Sequence, residues 1–97
     1  MTTLDEFAAM TKRIIASDGF DAYLPTAIYP GRRQVVVLEG APEGPELESI
    51  AVKWAERGAV GGEEFLVSFK FGPDRFKVVR RRAGVHEERV FDAVDDT

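Results

Sequence analysis

Between Phe76 and Phe91 the chain reads FKVVRRRAGVHEERVF, and this stretch concentrates the side chains best suited to chemistry. Arg80, Arg81 and Arg82 are consecutive, Arg89 follows, and His86 is the only histidine. Clustered arginines can grip phosphate, as a nucleic-acid stripe or as a small anion site. A histidine can move protons near neutral pH when an acid orients it and a nucleophile or substrate pocket lies beside it. Glu88, two residues along the same strand face, can contact His86. The Ser, Thr and Tyr residues stand in no arrangement that suggests a nucleophile, so an enzyme built on His86 ranks last among the readings.

Other chemistries are excluded by what the chain lacks. It has no cysteine, which removes disulfides, thiolate catalysis and Cys-ligated metals. A single histidine removes a two- or three-His zinc site within one subunit. The acidic run from Glu39 to Glu48 lacks the alternating Asp spacing of a calcium loop, and its glycines match neither phosphate-loop pattern. No cofactor and no metal is expected. The start, MTTLDEFAAM, has no basic segment before an apolar run, and no apolar stretch approaches about 18 residues, so no membrane association and a cytoplasmic location are expected.

The 97 residues carry a net charge of −4, which argues against general nucleic-acid binding. That charge is uneven. Residues 70–89 hold seven bases and three acids, against six bases and eleven acids before them and three acids after. Length and composition suit one globular domain, with an acidic disordered tail expected over residues 93–97.

The elements that must position these groups follow from periodicity and caps. Thr3 with Glu6 three residues on forms a capping box, Leu4, Phe7, Met10, Ile14 and Ile15 approximate a helical stripe, and Gly19 is suited to end the helix. Gln34 to Glu39 reads as a strand, with Ala22 to Tyr29 as its partner across a turn at Pro30-Gly31; Pro25 argues for an edge position. A second helix is expected from Pro45 to Gly58, with Leu47, Ile50, Ala51 and Trp54 on one face. Three strands complete the chain, at Glu64–Phe71, Phe76–Arg82 and His86–Asp92. The pattern predicts an α+β domain of order α-β-β-α-β-β-β, a mostly antiparallel sheet with both helices on one face.

Pairing Phe71 with Phe76 would put Phe65, Val67, Phe69, Phe71, Phe76, Val78 and Phe91 on one buried face. A turn at Gly84-Val85 would set Arg82 against Glu87 and Arg81 against Glu88. Arg80, Arg82 and Arg89 then share the core face beyond its apolar part, and Arg81 points away, so the arginines do not form one patch. Cross-strand pairing and solvation is the favoured account of them; an anion-binding rim of Arg80, Arg82 and Arg89 is the alternative. The opposite face would carry Leu66, Lys70, Lys77, Val79, Arg81 and Val90, an apolar strip among cations of the kind that marks a contact surface. The expected function is therefore non-catalytic binding of a macromolecule through that face and the hairpin tip. The expected partner is a protein, or a second copy joined by sheet extension. Weak RNA, DNA or anion binding through the basic hairpin of residues 77–89 is the runner-up.

Overall fold

A computed structural model describes residues 2–40 and 44–93 of the chain. Helix α1 (Leu4–Asp18) begins at Thr3, whose hydroxyl accepts the Glu6 amide at 3.1 Å, with Asp5 and Glu6 in the first turn where the helix dipole favours acids. It stops at Gly19, where φ is +89° and the amide returns to the Ile15 carbonyl at 2.8 Å. Strands β1 (Thr26–Tyr29) and β2 (Gln34–Val37) are joined by one turn of 3-10 helix over Pro30–Arg32. Helix α2 (Leu47–Gly58) starts two residues after Pro45, and buries Leu47, Ala51, Val52 and Ala55. Strands β3 (Phe65–Lys70), β4 (Arg75–Arg82) and β5 (Val85–Asp92) follow.

The five strands form one sheet in the order β2-β1-β3-β4-β5, antiparallel at every step. The α+β class, the element order and the antiparallel sheet are those the pattern predicts. The Cα radius of gyration, 12.5 Å, suits one small domain of this length. Among the described residues no helix is long and apolar enough to cross a membrane.

The helices do not share a face. One core cluster joins α2 through Leu47, Ala51, Val52 and Ala55 to Phe65, Val67, Phe69 and Val79. The other joins α1 through Leu4, Phe7, Ala8 and Ile15 to Leu66, Phe76 and Val78. The cause is a shift of one residue between β3 and β4. Lys70, not Phe71, lies opposite Phe76, and the Phe71 amide closes the connection on Arg75 at 2.9 Å. Because strand side chains alternate, that shift moves Phe76 and Val78 to the side of Leu66 and Ser68. Residues 65–69 are therefore buried on both sides, and each side takes one helix.

The β4–β5 hairpin also differs from expectation. Its loop is Ala83-Gly84, both at positive φ (+47° and +84°), which is the geometry of a type I′ turn. Arg80 lies opposite Glu87, Arg81 opposite His86 and Phe76 opposite Phe91, where the rings stack at 5.5 Å. Relative to the Gly84-Val85 loop the pairing moves by two residues, so side-chain facing within this hairpin is unchanged. Pro25 does not mark an edge: β1 lies between β2 and β3, Pro25 precedes it, and its carbonyl accepts the Leu38 amide at 2.7 Å. Of the expected C-terminal tail, Ala93 is instead buried with its amide on the Asp74 carbonyl. Residues 94–97, and Ala41 to Glu43 of the acidic connector, lie outside the described residues.

A polar chain crosses the α1 side of the sheet. Tyr23, Thr11 and Ser68 are all fully buried; Tyr23 bonds Ser68, Ser68 lies 3.1 Å from Thr11, and Thr11 donates to the Phe7 carbonyl at 3.0 Å. Each hydroxyl carries one proton, and the order Tyr23 to Ser68 to Thr11 to carbonyl uses all of them. Burial pushes the Tyr23 phenol well above its ordinary range, partly opposed by the bonds to Ser68 and Thr11.

Candidate functional site

The hairpin side chains divide between two surfaces, as strand alternation requires. Arg80, Arg82, Glu87 and Arg89 stand on the α1 side with Val78 and Phe91. Lys77, Val79, Arg81, His86, Glu88 and Val90 stand on the α2 side. The three consecutive arginines thus form no single patch.

The expected contact face of Leu66, Lys70, Lys77, Val79, Arg81 and Val90 is not one open surface. Leu66 faces α1 and Val79 faces α2, and both are fully buried. Lys70 is on the α1 side, where its ammonium reaches the Asp21 carbonyl at 3.1 Å and lies 5.5 Å from the Phe20 ring. Lys77, Val79, Arg81 and Val90 share the α2 side, where Lys77 and Val79 are buried and only Arg81 and Val90 reach the surface.

There the β4–β5 hairpin and the C-terminal half of α2 enclose a cleft of about 680 Å³, lined by Glu56, Phe65, Arg81, Arg82 and His86 among others. An adjoining groove runs along α2 past Glu48, Ser49 and Glu88. The polar groups in it are bonded to one another. Arg81 Nε donates to His86 Nδ1 at 3.1 Å, and His86 Nε2 lies 3.0 Å from Glu88 Oε2. With Nδ1 accepting, the proton of a neutral ring sits on Nε2 and is given to Glu88. Lys77 then bridges Glu88 at 3.2 Å and Glu48 of α2 at 2.7 Å, while Arg81 reaches Glu56 at 3.4 Å. The bond from His86, followed by that from Lys77, holds the Glu88 carboxyl below its usual range. Burial alone would lower the Lys77 ammonium, but the bonds to Glu48 and Glu88 outweigh it and raise the pKa.

This arrangement ties β5, β4 and α2 together. The ring nitrogen that a general base would use already accepts from Arg81, so His86 has no lone pair aimed into the cleft. On the other side Arg80 is held by Glu64 at 3.0 Å and Glu87 at 3.8 Å, with Arg82 3.9 Å from Glu64, and Arg89 bonds Asp5 of α1 at 2.7 Å. Each cation of the alternative rim therefore has a carboxylate beside it.

A different surface is left uncovered. α1 packs on β3, β4 and β5, and Ile28 of β1 joins that cluster while Thr26 is buried beside it, so on this side the exposed apolar surface falls on β2. Val35 lies opposite Ile28, and Val37 opposite Thr26; the two valines are 52% and 49% exposed. Leu24, just before β1, is 46% exposed. β2 is also a sheet edge, so among the described residues one row of its backbone amides and carbonyls has no strand beside it. The three consecutive valines after Gln34 were the available signal: a strand apolar on both sides needs two covers, and α1 does not reach this one. Comparison with protein families, curated proteins and solved structures finds no match, so these residues carry the reading themselves.

Proposed function

We propose that this protein is a non-catalytic binding module that works by contacting another polypeptide at the β2 edge and the valine face beside it. The observation that carries this reading is the pairing of half-exposed Val35 and Val37 with an unpartnered strand edge. Backbone bonds from such an edge supply affinity, and the flanking side chains supply selectivity. The other edge strand, β5, carries His86, Glu87, Glu88 and Arg89, charges of the kind that blunt an edge. Anion or nucleic-acid binding through Lys77, Arg80, Arg81, Arg82 and Arg89 has less support, because those cations would have to exchange carboxylates already at 2.7–3.9 Å.

The test is quantitative capture of polypeptides by the immobilised wild type and by a Val35→Lys/Val37→Lys variant. Both positions are exposed, so the variant keeps the fold, checked by circular dichroism. Polypeptides bound by the wild type are expected to be lost from the variant; equal retention by both removes the surface assignment. Val79 cannot serve for this purpose, since its side chain lies wholly within the core.

A further inference from the structure

What lies against the β2 edge can be specified from backbone orientation and charge, given the reading above that this edge is a contact surface. The Leu38 amide donates to the Pro25 carbonyl at 2.7 Å, one step beyond the Thr26–Val37 pair. In an antiparallel ladder, residues that bond across alternate with residues that point the other way. Leu38, Val36 and Gln34 therefore turn their backbone groups toward β1. Val35 and Val37 turn theirs to the open edge, while their side chains stand on the face that α1 leaves bare.

We propose that the occupant is a second copy of this chain, with β2 paired antiparallel to β2 about a two-fold axis at Val36. In that register Val35 of each copy lies opposite Val37 of the other, and each such pair exchanges both of its backbone bonds. The valines of both copies join into one apolar strip. Arg33, which closes the preceding turn in a left-handed conformation (φ +51°), and Glu39, in the turn two residues beyond β2, fall at matching positions at both ends of the junction, where the long arginine side chain can reach the carboxylate. Both residues are exposed, and neither has an ion-pair partner among the described residues.

The alternatives are poorer on the same criteria. Moving the axis to Val35 sets Arg33 against Val37, and moving it to Val37 sets Glu39 against Val35. A parallel alignment brings like charges together. Pairing β2 with β5 of another copy is head-to-tail, leaves both free edges in place and runs on as a ribbon, whereas the two-fold contact is self-complementary and closes.

Sedimentation velocity of the full chain, from micromolar to near-millimolar concentration at low salt, tests this with three variants. The wild type is expected to dimerise as concentration rises. Arg33→Glu and Glu39→Arg each place like charges at both ends, and each is expected to weaken self-association by about fivefold or more. An equimolar mixture of these two variants is expected to recover dimer, because in the mixed pair an acid again faces a base at each end of the junction. Val35→Lys/Val37→Lys is expected to be monomeric. A wild type that stays monomeric overturns the self-pairing, and the binding reading then stands or falls on the capture experiment alone. A dimer indifferent to these substitutions, or a mixture that fails to recover, overturns it by placing the interface or its register elsewhere.

Discussion

Gly58 ends α2, and its local role as a helix stop is visible in the sequence. Its second role is not. A β-carbon at this position would lie 2.1 Å from the Tyr29 hydroxyl oxygen and 2.8 Å from the ring carbon that carries it. Tyr29 cannot easily yield: it is buried, its hydroxyl donates to the Ala55 carbonyl at 2.9 Å, and the Arg32 guanidinium covers the ring at 4.4 Å. Arg32 is itself fixed by Glu63 at 2.7 Å and by the Gly58 carbonyl. Alanine normally favours a helix over glycine by up to about 1 kcal/mol. Here the overpacking is expected to win, and Gly58→Ala should lower the unfolding free energy by about 1–3 kcal/mol. A urea midpoint equal to or above that of the wild type would contradict the packing of Tyr29 on α2. No local pattern carries this constraint, because Tyr29 and Gly58 are brought together only by the sheet.

Among the elements, the helix caps and strand runs were legible because each is written in adjacent residues: Thr3 with Glu6, Gly19, the valines of β2. Facing was less legible. Phe65, Val67 and Phe69 alternate as a half-buried strand should, yet Leu66 and Ser68 between them are equally buried. The better signal was adjacency. Leu66 beside Val67, and Val78 beside Val79, mark strands covered on both faces, which place α1 and α2 on opposite sides. The hairpin turn is obscure in the sequence for a related reason. Positive φ at Ala83 costs roughly 1–2 kcal/mol, which counts against the observed loop when taken alone. The register it permits stacks Phe76 on Phe91 and sets Arg80 against Glu87, and these contacts lie away from the turn. That strain is testable. Ala83→Asn creates the Asn-Gly pair that this turn favours, and should raise stability by about 0.5–1 kcal/mol. Gly84→Ala should lower it by about 1–2 kcal/mol. Thermal melts moving the opposite way would mean that the loop is not the type I′ turn.

For the whole molecule, the two helices cover diagonal parts of one sheet, and the titrating groups report on each cover separately. Tyr23 lies under α1 and Tyr29 under α2, and they are the only tyrosines. Burial raises both phenols above the ordinary value of 10.0; at Tyr29 Arg32 opposes the rise and Glu63 adds to it. Lys77, between α2 and β5, is raised above 10.5 once its two carboxylate partners outweigh its burial. A group whose folded pKa is raised binds its proton longer in the native state. Its stabilisation is complete below the unfolded pKa and is lost as pH climbs toward the folded one. All three groups therefore act in the same direction, and stability should fall steeply above about pH 10. Glu88 has the opposite sign: its lowered pKa contributes stability above the ordinary carboxylate range, lost as pH falls through the folded value. Glu88 is well exposed, so the acid limb should be shallow. Unfolding free energy measured across pH should thus be lost faster on the alkaline side. Tyrosinate absorbance should appear together with loss of the far-ultraviolet dichroism, not ahead of it. If one phenol ionises near pH 10 while the dichroism is intact, the helix over that tyrosine is not closed, and the diagonal cover that exposes Val35 and Val37 would have to be redrawn.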